Sequence, residues 1–211
     1  MPPDLVKRVL KRYSTPIPDM PGTGGELARH LIERFALDGV TVVRDPQPDS
    51  NRYEPGTRRV CLSSDVYDGK SLTAVAVAAH EVGHAIQHAR GEPIYRLHGR
   101  IWPVATACTR FGQMMLGVTP LILIIVKAPV ILTLGLVVVV VALLASLALK
   151  ATLLPLEFDA SFNKALPILA EGYVPRQDLP VVKKILRAAA LTYVASALID
   201  GLMIWRIFRP R

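Results

Sequence analysis

The sequence predicts an α+β fold in which a small polar domain, made of helices and a short sheet, is joined to membrane helices. The first hundred residues mix helical and strand-like apolar patterns in an ordinary polar background. The segment from Ile101 to Lys150 carries almost no charge, and a third apolar run covers Ala188–Trp205. A chain of 211 residues allows one compact domain and a few membrane helices, but not two large soluble domains.

The elements of the polar region follow from apolar spacing and turn residues. Residues 1–23 are expected to form a short basic helix and a loop, and Gly24–Asp38 a helix ended by Gly39. Strands are expected at Val40–Val43 and Arg59–Ser63, with a polar loop between them. A further helix, capped by Ser71, is expected over residues 71–90.

The apolar region is predicted to be a transmembrane helical hairpin over residues 101–150. Ile131–Leu149 has the length needed to cross a bilayer core, and Phe111–Val126 reaches that length by extending back toward Ile101. Lys127 marks the tip of the hairpin. The last run, within residues 188–211, is predicted to be a membrane helix with a basic tail, which either spans the bilayer or lies on it.

Charge and cysteine content limit the partners. The net charge is +8, which beside the apolar region indicates an anionic bilayer surface. No RNA-binding aromatic motif or zinc-finger spacing occurs, so nucleic acid is not an expected partner. Cys61 and Cys108 lie in unlike contexts, which indicates no disulfide framework and suits a reducing compartment.

The central motif is His80-Glu81-Val82-Gly83-His84. Histidines four residues apart lie on one face of a helix and can share a metal ion, and Zn²⁺ binds imidazole nitrogens while keeping a water at catalytic sites. Glu81 is then expected to be the general base. The alternative is a helix with incidental histidines; the uncharged flanks and an apolar back face favour the metal site, and that face consists of Val75, Ala79, Val82 and Ile86.

A third protein ligand is required. The long metzincin motif would place glycine and histidine where this chain has Gln87 and Arg90, so that class is excluded. Glu157 is the expected ligand, on a helix for which Pro155 suits the first turn. Two alternatives stay open: Asp159 as the ligand, or a solvated carboxylate at a helix start.

These motifs resemble the neutral zinc metallopeptidases of the YugP type, a membrane family of gluzincin character. The resemblance rests on residues 71–88, 154–161 and 188–195, and more weakly on residues 22–29. It implies a zincin-like catalytic domain bound to a membrane, Zn²⁺ as cofactor, and peptide hydrolysis. It carries over His80, His84 and Glu157 as zinc ligands and Glu81 as the base.

The chain departs from the family in two places. Members usually begin with a membrane helix, whereas this chain begins with a basic segment that lacks the apolar core of a signal peptide. Arg52 stands where the family has histidine, and arginine can neither bind zinc nor accept a proton. Tyr53 is retained, either as an oxyanion donor or as a packed loop residue. His88 continues the histidine face and is either a surface residue or a contact to the zinc site or substrate.

The predicted function is a membrane-embedded zinc endopeptidase that cleaves peptides or membrane proteins. Residues 1–100 and 151–187 form the catalytic domain, on the cytoplasmic side because the flanks of the hairpin are basic. Arg59–Ser63 is expected at the sheet edge, where it pairs with substrate. The alternatives are a zinc-binding scaffold or pseudoprotease, for which Glu81 is unnecessary, and a metal transporter, which needs ligands within the spans. The oligomeric state is not predicted.

Overall fold

The computed structural model describes residues 3–126 and 129–190. It contains helices and a three-stranded sheet, which confirms the α+β prediction. The chain divides into two compact units, one combining residues up to Glu92 with residues from Leu154 onward, the other being Pro93–Leu153. Lys127, the expected hairpin tip, and nearly all of the expected C-terminal membrane helix lie outside the described residues and stay predictions.

The helices and strands follow the chain in a simple order. The bounds in the first unit are α1 (Pro3–Arg12), α2 (Gly24–Arg34), β1 (Thr41–Asp45), β2 (Arg52–Glu54), β3 (Arg59–Ser63), α3 (Ser64–Tyr67) and α4 (Leu72–Ala89). Then come α5 (Pro93–Val126), α6 (Pro129–Phe158), a π-helical segment (Asp159–Ala165), α7 (Leu166–Ala170) and a 3-10 turn (Arg176–Asp178). A last helix, α8, covers residues 179–190 within the described part of the chain.

The sheet has the order β1-β3-β2, so the expected position of Arg59–Ser63 at the edge is wrong. β3 pairs in parallel with β1 and antiparallel with β2. The prediction failed because β2 was expected to be loop. Asn51 holds this segment in place, since its Oδ1 accepts a hydrogen bond of 2.9 Å from the backbone of Ser63. The two edge strands are therefore β1 and β2.

Helix α2 begins as expected but ends four residues early. Thr23 and Glu26 form a reciprocal capping box at its start, each side chain bonding the other's backbone N–H. The helix ends because Ala36 adopts a left-handed backbone, with φ of 47°. The N–H of Leu37 then donates to the carbonyl of Ile32 at 3.0 Å, which closes the last turn.

Helix α4 is the centre of the first unit. Ser71 caps it as predicted, accepting a hydrogen bond of 3.1 Å from Ala74 N. The predicted apolar back of the helix is buried. Side chains from the neighbouring elements complete this core, among them Leu27, Leu31, Val60, Leu62, Leu169, Val182, Ile185 and Leu186.

The second unit consists of α5 and most of α6 packed antiparallel. Gly112 approaches Ala142, and Gly135 approaches Thr119, so closely that a Cβ at either glycine would meet the facing side chain. Many large apolar side chains of this unit are exposed, including Trp102, Val104, Val130, Leu134, Leu144 and Leu147. Within the described residues, the helical stretch Thr133–Ala170 is the one long and apolar enough to cross a membrane.

Candidate metal centre

Helix α4 presents His80 and His84 one turn apart on the same face. Their ring centroids are 4.7 Å apart and their planes nearly perpendicular, at 81°. The Nε2 atoms lie 3.2 Å (His80) and 3.6 Å (His84) from one carboxylate oxygen, Oε2 of Glu157. The structure therefore brings together the two histidines and the carboxylate that the sequence singled out.

Glu157 reaches the histidines from the end of α6 rather than from the start of a new helix. Pro155 lies inside α6, so the expectation that it opens a helix is wrong. The chain continues directly into the π-helical segment, where Ser161 Oγ lies 3.1 Å from Nδ1 of His80. The prediction that Glu157 and Ser161 share a face is confirmed, since both side chains contact His80.

Gly83 makes this close packing feasible. A Cβ at this position would lie 2.9 Å from the carbonyl oxygen of Ala160, which is closer than real side-chain contacts allow. The glycine in the His-Glu-x-x-His motif therefore lets the π-helical segment approach the backbone of α4. This close approach places Ser161 within hydrogen-bond distance of His80.

The donor set fits a metal ion. One ligand atom from each of His80, His84 and Glu157 lies within 4.8 Å of the others. Glu157 Oε2 is buried and accepts no hydrogen bond from the described residues. A buried acceptor without a partner is costly, and a cation between it and the two imidazoles removes that cost. Two imidazoles and one carboxylate form a known catalytic zinc set.

The electrostatics of the group also suit a cation. Burial lowers the pKa of His84, but its contact with Glu157 outweighs this and raises the pKa to about 9. Burial raises the pKa of Glu157, but contacts with His80 and His84 outweigh this and lower it to about 2. Both shifts have the direction expected of a group that favours a positive charge beside the Glu157 carboxylate.

Glu81 is buried beside the ligand group, being 7% exposed. Burial raises the pKa of its carboxyl group, His80 and His84 lower it, and Glu157 raises it again. The backbone N–H of Tyr53, on β2, also contacts the Glu81 carboxyl group. The edge strand β2 therefore runs beside this residue.

Tyr53 and His88 contact each other rather than standing apart. The Tyr53 hydroxyl lies 2.8 Å from Nδ1 of His88, and both residues are half-buried. Arg52 forms ion pairs with Asp45 at 2.8 Å and Glu54 at 2.7 Å. Arg52 therefore links β2 to Asp45 at the end of β1.

Asp159, the alternative ligand, lies outside the group of three. Its Oδ2 accepts hydrogen bonds from Gln87 Nε2 at 2.8 Å and from Lys164. Gln87 is fully buried and also contacts His84, with Oε1 2.9 Å from Nδ1. Sequence reasoning used Gln87 only to exclude the metzincins. One signal was available in the sequence, since Gln87 is a polar residue three positions after His84 on a mostly apolar helix.

Comparison with known proteins agrees with this geometry. A family described as "Putative neutral zinc metallopeptidase" matches residues 3–210. The chain belongs to this family. The predicted resemblance is therefore confirmed, and the neutral zinc metallopeptidase family implies Zn²⁺, the metal expected from the sequence.

One curated relative of this family member comes from Bacillus subtilis (strain 168). It is described as "Putative membrane protease YugP" and is 34% identical over 201 residues, which cover 92% of this chain and 83% of the relative. No solved structure matches the chain significantly.

Proposed function

We propose that this chain is a membrane-embedded, zinc-dependent endopeptidase. His80, His84 and Glu157 hold the metal, and Glu81 is the general base. The observation that carries the proposal is the buried Glu157 oxygen, which faces both imidazoles without a hydrogen bond from the described residues. The description of the Bacillus relative as a membrane protease supports the same reaction here.

The chain's own residues divide the chemistry between them. Zinc, when bound, supplies Lewis acidity that makes water more acidic and polarises a carbonyl group. Glu81 accepts a proton from the attacking water while the oxygen of that water forms a bond to the carbonyl carbon. It then delivers that proton to the amide nitrogen as the carbon–nitrogen bond breaks. Burial of Glu81 limits competing contact with solvent.

The substrate binds along β2. This strand is one of the two edges of the sheet in the described part of the chain, and it is the edge whose Tyr53 backbone contacts Glu81. An extended peptide that adds to the outer edge by backbone hydrogen bonds would run past the general base. Tyr53 and His88, joined by their 2.8 Å contact, then lie close to bound substrate.

The second unit anchors the enzyme in the bilayer as a hairpin over residues 101–149. The exposed apolar side chains of α5 and α6 support lipid contact. The positive-inside rule places the catalytic unit in the cytoplasm, since Arg96, Arg100 and Arg110 precede the apolar core and Lys150 follows it. In a background lacking Cys61 and Cys108, Lys70→Cys should resist an impermeant thiol reagent on intact cells. A cysteine at position 128 should react; the reverse pattern overturns this topology.

Peptide cleavage by the purified protein tests the function directly. In detergent, the wild-type chain should cleave a mixed peptide library, lose activity with a zinc chelator, and recover it with added Zn²⁺. Glu81→Gln, prepared in parallel, is the control for contaminating proteases. A wild-type protein that binds zinc tightly and cleaves nothing in the library would favour the scaffold alternative and overturn the proposal.

A further inference from the structure

A network of buried and half-buried polar groups leads away from Nδ1 of His84, the ring nitrogen that does not face Glu157. Nδ1 of His84 lies 2.9 Å from Gln87 Oε1. The Nε2 group of Gln87 contacts two further atoms, the carbonyl oxygen of Leu156 at 2.9 Å and Oδ2 of Asp159 at 2.8 Å. Asp159 in turn pairs with Lys164, which also contacts Glu92 at 3.0 Å.

The two acceptors that face Gln87, the Leu156 carbonyl and the Asp159 carboxylate, fix the direction of its hydrogen bonds. A backbone carbonyl and a carboxylate can only accept, so the Gln87 group that faces Leu156 and Asp159 must be the NH₂ group. Oε1 of Gln87 therefore faces His84 as an acceptor. The His84 atom that meets it must be Nδ1–H, which leaves the Nε2 lone pair directed at the metal site.

Lys164 stabilises the end of this hydrogen-bond network that is farthest from His84. It is 8% exposed and contacts the carboxylates of Asp159 and Glu92, so a buried cation lies between two anions. This contact holds the side chain of Asp159 against Gln87. Neither Gln87 nor Lys164 is in the group of three ligands, so both act through other residues.

We infer that Gln87 is a positioning residue that, held by Leu156 and Asp159, fixes His84 in the tautomer that binds zinc through Nε2. This inference rests on the proposed zinc site and adds the means by which the chain prepares one ligand. Hydrogen bonds from a metal-binding histidine to a polar partner commonly change metal affinity by about 10–100-fold. His80 differs, because its Nδ1 partner is a serine hydroxyl that can donate or accept.

Two substitutions at position 87 distinguish positioning from simple space filling. Gln87→Leu keeps the volume but removes the acceptor for His84. Gln87→Glu keeps an acceptor, loses the donor to Leu156 and adds a charge near Asp159. Positioning predicts that zinc affinity, measured by chelator competition, falls about 10–100-fold in Gln87→Leu and less in Gln87→Glu. Space filling predicts little loss of affinity in Gln87→Leu, and a loss there no larger than in Gln87→Glu would overturn the inference.

A spectroscopic measurement reports the tautomer itself. In the zinc-loaded protein, ¹⁵N-histidine labelling should show an exchange-protected Nδ1–H signal for His84 that is absent in Gln87→Leu. Thr73→Val is the matched control, because it removes a buried hydrogen bond of 2.8 Å to Leu10 from the same helix without touching the site. It should lower thermal stability and leave the His84 signal and zinc affinity unchanged.

The outcomes separate this inference from the proposed function. An unchanged His84 signal in Gln87→Leu refutes positioning, even if the wild-type chain cleaves peptides. A protein that binds zinc with the expected order of affinities, but cleaves no peptide, refutes the function and supports positioning.

Discussion

Helices α4 and α6 are both long and strongly apolar, yet their surroundings are opposite. In α4 the side chains are buried on nearly every side, including His80 and Glu81, each 7% exposed. In α6 large apolar side chains face outward, with Leu134 at 61% and Leu144 at 60% exposed. A helix that is apolar all round belongs either in a protein core or in a membrane, and each of these two fits one of those environments.

The difference shows that apolar composition does not decide what a helix can carry. Because protein covers α4 on nearly every side, a polar side chain in it can contact a fixed partner, as His84 contacts Gln87. Lipid offers no such partners, and α6 carries no acidic residue until it leaves the proposed span and reaches Glu157. The polar residues of the proposed site therefore lie on the buried helix α4 and at the end of α6, beyond the proposed span.

Removing the polar groups of α4 should have the largest effect. Glu81→Gln should lower the rate of peptide cleavage by about 10²–10⁴-fold while zinc stays bound, because the general base is lost and the ligands remain. His80→Ala or Glu157→Ala should lose zinc as well. The measurements are turnover and zinc content of the purified variants. Wild-type turnover in Glu81→Gln would show that Glu81 is not the general base.

Adding a polar group to α6 should have the next largest effect. Leu144→Arg should reduce membrane insertion, because a charge within a span costs about 3 kcal/mol on translocon scales. The fraction resistant to carbonate extraction measures it. His30→Arg, on the exposed surface of α2, is the control and should leave that fraction unchanged. Equal extraction of both variants would mean that Leu144 does not face lipid.

Replacing a glycine by alanine should have different effects in the closely packed helix α4 and in α5. Gly83→Ala should lower the free energy of unfolding by about 1–3 kcal/mol, because the added Cβ meets the Ala160 carbonyl. Gly117→Ala, in α5, has no described atom within 4 Å of the added Cβ and should be neutral or stabilising by up to about 1 kcal/mol. Thermal unfolding measures both, and equal shifts would contradict the close packing at Gly83.

The smallest expected effect is the pH dependence of zinc binding. The pKa of His84 is raised from 6.5 to about 9, so the protonated ring stabilises the metal-free fold. That contribution is complete below pH 6.5 and is lost as the pH rises through 9. Zinc must displace this proton, so its affinity should rise by up to about tenfold between pH 7 and 8. An affinity that is constant over this step would contradict it.

The sequence was sufficient where the signals are local. The apolar face of α4 and the Ser71 cap follow from spacing and residue type, and both are confirmed. The histidines four apart had to lie on one side of a helix. Glu157 was predicted as a carboxylate on a later helix, with Asp159 left open, because no spacing along the chain shows which later carboxylate returns to α4; the resemblance to the family then favoured Glu157.

The failures lie where distant residues decide the local structure. Arg52–Glu54 lacks an apolar strand pattern, and it becomes β2 through contacts of Asn51 with Ser63 and of Arg52 with Asp45. Ala36 is an unusual residue for a left-handed backbone, so the early end of α2 has no sequence signal. The partners of Gln87 lie beyond α5, which is why its role could not be read from its neighbours in sequence.

The order of the converging side chains has a consequence for how the protein is made. His80 and His84 precede Pro93–Leu153, and Glu157 follows it. At about 5–20 residues per second, the ribosome finishes the HExxH helix seconds before Glu157 is synthesised. A nascent chain therefore holds an incomplete set of ligands until both apolar helices have been translated. The proposed hydrolytic site is therefore completed only after both proposed membrane segments have been synthesised.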